Sequence, residues 1–227
     1  MSFGAPHRHF RQTDSTNTRA RELDRVGAPH GTVVTAAEQT DGRGRQGRSW
    51  TAPPGKALLY SAILRPLGER PLLSLAAALA VCDTAEQLAA ISCAIKWPND
   101  VQTGGRKLAG VLIEARPQDD WAVIGVGLNL TIEADEFLPE LRRVATSLGE
   151  ASPARARVAL DSHLTRWIDA DDEAILDAWG ERDVLRGKEV SWEGGSGVAR
   201  GVDNRGNLVV AIPGGPLTLN AGEVHLL

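Results

Sequence analysis

Apolar residues gather in dense runs through the first 130 positions, thin to helical spacing, and return near the end as brief runs between glycine-rich breaks. Gly31–Ala37 ("GTVVTAA") is rich in β-branched residues and predicts a strand. It leads into "QTDGRGRQGRSW", Gln39–Trp50. Ala57–Leu64 ("ALLYSAIL") predicts a second strand, opened by the turn signal "APPGK". Leu72–Ala90, rich in alanine and leucine with no glycine or proline, predicts a long helix. Ala94–Trp97 reads as a short strand stopped by Pro98. Leu108–Ala115 and Trp121–Leu130 predict two apolar strands, and the polar "RPQDD" between them suits a hairpin connection. Strands, one long helix, then more strands favour an α+β fold, a mixed sheet with packed helices, over a doubly wound parallel sheet.

Pro153–Trp179 predicts a second helical region, with Leu160, Leu164, Trp167 and Ile168 at the spacing of one buried face. After Gly187 the texture changes. Short strands are expected at Lys188–Trp192, Gly197–Val202, Leu208–Ile212, Leu217–Asn220 and Glu223–Leu226, separated by "EGGS", "DNRGN", "PGG" and "AG". Brief strands so closely spaced predict a small β-barrel packed on the main domain. The boundary falls near Arg186, giving domains 1–186 and 187–227.

Composition narrows the function. A net charge of -4 and a pI near 5.8 argue against general affinity for nucleic acid, so any anion site must be local. Cys82 and Cys93 form neither a metal-ligand pattern nor a disulfide framework and are expected to be buried thiols. The start of the chain has no apolar export segment, and no run approaches the length of a membrane span. A cytoplasmic protein without membrane contact is expected.

The basic stretch stands out against that acidic background. Arg43, Arg45 and Arg48 alternate with Gly42, Gly44 and Gly47. Glycines let backbone N–H groups converge on an anion, and arginines add bidentate donors suited to phosphate. A nucleotide loop, an RNA-binding loop and an exposed turn without a task all remain open on this pattern alone. "KWPNDV" fixes Asn99 and Asp100 at a strand end, where functional residues often sit, although an Asn-Asp turn is common. In "RKLAGVLIE" Lys107 opens an apolar strand, as an edge charge or as a cation aimed at an anion, and Gly110 suggests close approach to the backbone. "GVGLN", Gly125–Asn129, reads as a bulge with a capping Asn. "DSTN", from Asp14, reads as a helix N-cap whose hydroxyls and amides could also hold a polar ligand.

Taken in order, "DSTN", "EQTDGRGRQGRSW", "KWPNDV" with "RKLAGVLIE", "GVGLN" and a small C-terminal barrel resemble the biotin protein ligase family, from Asp14 to the C-terminus. The resemblance implies a class II aminoacyl-tRNA synthetase-like catalytic domain and an SH3-like barrel. It implies activation of biotin by ATP to biotinyl-5′-AMP, then transfer to a lysine of a biotin carboxyl carrier protein. Neither step needs an enzyme nucleophile; positioning and charge neutralisation suffice. By resemblance, Ser15, Thr16, Asn17 and Gln39 surround the ureido ring, and Gly42, Arg43 and Gly44 cover biotin and the acyl phosphate. Lys107 meets the carboxylate or α-phosphate and, with Arg43 and Arg45, is the catalytic expectation. Gly110 gives the ligand room. Trp50 and Asn129 meet the adenine side, Arg48 adds charge, and Asn99 and Asp100 serve phosphate or Mg2+, which would arrive with ATP because no protein cage for it is visible.

Two features depart from the family pattern. About thirteen residues precede "DSTN", too few for a three-helix DNA-binding domain, so a ligase without repressor activity, monomeric or homodimeric, is expected. Asp41 stands where a small neutral residue is expected and is a candidate partner for a loop arginine. The competing readings are a lipoate or octanoate ligase of the same fold and a nucleic-acid-binding module. Against the latter, Lys188, Arg200 and Arg205 of the barrel face Glu189, Glu193, Asp203 and Glu223.

Overall fold

The computed structural model describes residues 2–220 and 222–227. Its main sheet has seven strands in the order β1-β2-β3-β7-β6-β5-β4. These are β1 (His7–Phe10), β2 (Val33–Ala36), β3 (Ala57–Leu64), β4 (Ala94–Lys96), β5 (Asp100–Thr103), β6 (Arg106–Arg116) and β7 (Trp121–Asn129). Only β1 and β2 pair in parallel; the other neighbours are antiparallel, which makes the mixed sheet expected from the sequence. Four helices pack on it: α1 (Thr16–Arg25), α2 (Leu73–Leu88), α3 (Pro153–Ile168) and α4 (Asp172–Arg182).

Side chains alternate across a strand, so parity along β3 and β7 sorts residues between two faces. Leu58, Tyr60, Ala62 and Leu64 of β3, with Ala122, Ile124, Val126 and Leu128 of β7, join α2 and α3 in the main core. The opposite parity points toward α1, where Ile63, Trp121 and Val123 pack with Ala20 and Val34. On that second face β7 carries glycine at 125 and 127, and the central strand has no bulk there. β7 pairs with β3 and β6 without a register shift, so "GVGLN" is not a bulge; the irregularity lies in β5, between Val101 and Gln102.

The single helical region expected at 153–179 is two helices. Ser152 caps α3 by accepting from the Arg155 N–H, and Asp171 caps α4 by accepting from the Ala174 N–H at 2.8 Å. Asp172 and Glu173 in the first turn of α4 suit a new helix start. Leu160, Leu164, Trp167 and Ile168 are buried as expected, and so are the free thiols of Cys82 and Cys93. The strands β1 and β5 and the body of α1 were not anticipated. β1 is a four-residue edge strand with three exposed positions, so it carries little apolar pattern.

Five more strands follow: β8 (Glu189–Trp192), β9 (Gly195–Val202), β10 (Leu208–Ile212), β11 (Gly215–Leu219) and β12 (His225–Leu226). They form an antiparallel sheet in the order β11-β10-β9-β8-β12. No ladder joins β11 to β12 among the described residues, so this is a small open sheet rather than the closed barrel expected. Ala221, in the "AG" break, lies outside the described residues. Val190, Ala199, Leu208, Val210 and Val224 belong to the same buried cluster as Leu72 and Leu75, and the Trp97 Nε1–H donates to the Gly206 carbonyl at 3.0 Å. No helix among the described residues is long and apolar enough to cross a membrane.

Candidate active site

The glycine face of the sheet floors a cleft. Ser61 pairs with Gly125, and Leu59 with Gly127, while Gly125 and Gly127 sit opposite Leu112 and Gly110 on β6. Polar groups from three elements converge on one end of this floor. A parallel bridge between Thr13 and Gln39 brings the Gln39 side chain to the start of α1. Gln39 Oε1 accepts from the Thr16 N–H at 2.8 Å and from the Thr16 hydroxyl at 2.9 Å. Gln39 thus satisfies a helix N–H that Ser15, buried at the N-cap position, leaves alone. Ser61 Oγ lies 2.8 Å from Thr16 Oγ1 and donates to Asn17 Oδ1 at 2.6 Å. The Asn17 amide in turn donates to Glu114 Oε2 at 2.7 Å. A Cβ at Gly125 would stand 2.3 Å from Asn17 Oδ1, so only glycine leaves room for this amide.

The other end holds an indole and a lysine. Trp50 lies over the central strands, where a Cβ at Gly127 would come within 2.3 Å of Trp50 Cε2 and one at Gly110 within 3.2 Å of Cζ3. The close approach predicted at Gly110 is therefore made by Trp50. The indole Nε1 is buried without a hydrogen-bond partner. Lys107 Nζ pairs with Asp100 Oδ1 at 2.6 Å and sits 5.8 Å from the Trp50 ring centroid. The backbone of Lys107 is clamped on both sides: its N–H donates to the Val144 carbonyl at 2.7 Å, and its carbonyl accepts from the Thr146 N–H at 2.8 Å.

The glycine-arginine loop roofs the cleft. An antiparallel bridge between Arg43 and Ser49 closes it, with Gly44 N–H donating to the Arg48 carbonyl at 2.7 Å and Trp50 N–H to the Gly42 carbonyl at 2.8 Å. Gly42 is required because a Cβ there would meet the Trp50 carbonyl at 2.2 Å. Each arginine faces a carboxylate from outside the loop. Arg43 lies 3.8 Å from Glu114, and Arg48 pairs with Glu223 of the C-terminal module. Burial pulls the Arg45 guanidinium below its ordinary value, opposed by attraction to Asp100 and Glu223. Asp41 is exposed and makes no ion pair among the described residues, which corrects the expectation that it would pair with a loop arginine.

The predicted residues largely assemble. Ser15, Thr16, Asn17 and Gln39, the loop residues Arg43, Gly44, Arg45 and Arg48, and Trp50, Asn99, Asp100, Lys107 and Gly110 all line the cleft. Gly42 is buried and stays out of the lining, packed against the Trp50 carbonyl and the Gln39 amide. Asn129 stays out of the lining; its amide donates to the Thr146 carbonyl at 2.9 Å. The Asn99 amide donates to the Val111 carbonyl at 2.7 Å, leaving its oxygen as the free acceptor. Sequence reasoning passed over Ser61, Glu114, Glu223 and His225. Ser61 carried a signal, as the hydroxyl inside an apolar eight-residue strand. No group of three or more His, Cys, Asp or Glu among the described residues is arranged to hold a metal ion. The cleft encloses about 160 Å³. That is below the roughly 300–1,000 Å³ of small-molecule sites.

A mixed sheet with a glycine-lowered floor, a hydroxyl-amide cluster at one end, a lysine at the other and a basic roof defines an α+β domain with a polar, basic cleft. Residues 9–130 match the Biotin/lipoate A/B protein ligase family, and the chain belongs to that family. The chain is 37% identical over 236 residues to the biotin--[acetyl-CoA-carboxylase] ligase of Mycobacterium tuberculosis, covering 95% of this chain and 87% of that one. It is 43% identical over 144 residues to the bifunctional ligase/repressor BirA of Bacillus spizizenii, covering 61% of this chain; the match spans only 44% of that relative's length. In three dimensions it is similar to the biotin protein ligase from Aquifex aeolicus in complex with biotin and ATP, with a TM-score of 0.83, 26% identity and 99% of each chain covered.

Proposed function

We propose that this chain is a biotin–protein ligase that activates biotin with ATP to biotinyl-5′-AMP and transfers biotin to a lysine of a biotin carboxyl carrier protein. The observation that carries this reading is the polarity of the cleft. Uncharged donors and acceptors (Thr16, Asn17 and Gln39, with Ser61 bonded to Thr16 and Asn17) cluster at one end, Lys107 stands at the other beside Trp50, and Arg43 and Arg45 line the cleft from the loop. A ureido ring suits the uncharged cluster. A carboxylate and an α-phosphate, which repel, suit the cations. Trp50 offers an aromatic face to adenine, and Lys107 is the residue assigned to the reacting anions. Asn99 and Asp100 are the residues assigned as oxygen donors to the phosphate side. They are too few for a cage, and they fit a Mg2+ ion that arrives with ATP. On this reading residues 1–186 form the catalytic domain and 187–227 a module that reaches the site through Glu223 and His225. A cytoplasmic location is part of the same reading.

The decisive experiment mixes the protein with ATP, labelled biotin and a carrier domain, with labelled lipoate and octanoate in parallel. Transfer of biotin to the carrier lysine is expected. Transfer of lipoate or octanoate instead would replace biotin as the substrate, and no transfer of any acid would overturn the ligase reading.

A further inference from the structure

Glu114 stands on β6, on the cleft face, one row beyond the Ser61–Gly125–Leu112 row. Two donors from α1 and one from the glycine-arginine loop surround its carboxylate: the Asn17 amide at 2.7 Å, Arg21 at 3.2 Å and Arg43 at 3.8 Å. A carboxylate can only accept, so the Asn17 side chain must turn its NH2 toward Glu114. Its oxygen is then forced to the other side, where Ser61 donates to it at 2.6 Å. The flipped amide would set oxygen against carboxylate and NH2 against the Ser61 side. Asn17 is 4% exposed and is walled by Gly125, so no third orientation is open. Arg21 pairs with Glu114 and offsets its charge.

We infer that Glu114 is a positioning residue, which fixes the Asn17 amide and thereby the donor-acceptor order that the floor of the cleft offers to a ureido group. This rests on the biotin reading above. A ureido ring presents one carbonyl flanked by two N–H donors. Asn17 Oδ1 meets an N–H of that ring only in the orientation Glu114 imposes; the flipped amide would oppose donor to donor. Glu114 acts through Asn17 and touches no reacting atom.

The test measures KM for biotin and for ATP, kcat and thermal midpoint in wild type, Glu114→Gln, Asn17→Ala and the double variant. Glu114→Gln keeps size and an acceptor but can present either end of its own amide, so the orientation of Asn17 is no longer imposed. KM for biotin is expected to rise about tenfold, the lower range for one charge-assisted hydrogen bond, with KM for ATP and kcat within about twofold. In the Asn17→Ala background the same substitution should add nothing to KM for biotin. Three results would overturn the inference while the ligase reading stands: an unchanged KM for biotin, an equal rise in both KM values, or full additivity with Asn17→Ala. Absence of biotin transfer by the wild type would remove the ligase reading, and the inference with it.

Discussion

Gly125 and Gly127 lie two residues apart on one strand, yet a methyl group at each would strike a different end of the cleft. At Gly125 the added Cβ would meet Asn17 Oδ1 at 2.3 Å and both Cγ and Nδ2 at 3.0 Å, against an ordinary contact of 3.4 Å or more. The amide must retreat by about 1 Å. That distance breaks its bonds to Ser61 and Glu114, at 2.6 and 2.7 Å. A neutral hydrogen bond contributes about 0.5–1.5 kcal/mol and one to a charged group about 1.5–3, so Gly125→Ala should cost about 2–4 kcal/mol. In a chain of this size that lowers the thermal midpoint by roughly 4–16 °C. At Gly127 the Cβ would meet Trp50 Cε2 at 2.3 Å and Nε1 at 2.6 Å. Trp50 is half-buried, and its Nε1 makes no hydrogen bond to lose. The indole can swing toward the cleft, so the stability cost stays near the low end of overpacking, about 1 kcal/mol. Steady-state kinetics on both variants separates the two ends. Gly125→Ala should raise KM for biotin at least about thirtyfold and KM for ATP little. Gly127→Ala should raise KM for ATP about tenfold and KM for biotin little, with a thermal midpoint close to wild type. Equal shifts of both KM values in both variants, or a Gly125→Ala protein as stable as wild type, would refute this division of the floor.

Lys107→Ala should lower the rate of adenylate formation about a hundredfold or more while biotin binding changes far less, as measured by pyrophosphate release and by calorimetry; wild-type adenylation would remove Lys107 from its role. Biotin and ATP together should slow tryptic cleavage after Arg43, Arg45 and Arg48, because two bound anions hold the loop down; unchanged cleavage would count against closure. Stability should fall as pH drops below about 6.5. Partial desolvation depresses the His7 and His30 pKa values, with Arg157 and His9 adding to the effect at the otherwise exposed His7, and with Asp169 opposing it and Arg70 adding to it at His30. The unfolded chain then takes up protons first, so the stability present above 6.5 is lost as pH falls from 6.5 through the depressed values. His30 Nδ1 already accepts from the Arg65 N–H, which favours the neutral ring. Thermal melts of His7→Gln and His30→Gln should each lose part of the slope between pH 7.5 and 5.5, and an unaltered slope in both would exclude these groups.

Legibility in the sequence followed the physical strength of each signal. The eight residues of β3, buried throughout and apolar but for Ser61, were read with the boundaries the structure has, because a strand buried on both faces has no competing pattern. α2 came out two residues shorter at its end, at Leu88 rather than Ala90, where helix ends commonly fray. The break between α3 and α4 was missed because the apolar spacing runs on past it, although Asp171-Asp172-Glu173 carried the signature of a new start. At the site, the loop, "DSTN" and Lys107 were visible because glycine, arginine and an isolated charge are conspicuous in a line of letters. Ser61, Glu114 and Glu223 were not, because their meaning lies in cross-strand neighbours. Ser61 matters through its pairing opposite Gly125, and Glu223 through a contact with Arg48 that spans most of the chain. The reading of "GVGLN" failed for the same reason. Its glycines make space for Asn17 and Trp50, residues that lie far away in sequence.

The charge of the loop follows from the same cross-strand geometry. Within an acidic chain, Arg43 and Arg48 each stand against a glutamate from another element, and Arg45 is attracted to Asp100 and Glu223. Lys107 is likewise paired, with Asp100. The cations therefore do not wait in water with their full field turned outward. An anion entering the cleft competes with carboxylates already in place, and its net gain is the difference between two charge-assisted contacts rather than the whole of one. A monoanion has little advantage in that exchange. A carboxylate and a triphosphate held side by side have several, because together they present enough oxygens to draw Arg43, Arg45 and Lys107 inward at once. On the ligase reading, this competition favours loop closure when both substrates are present over closure with either alone.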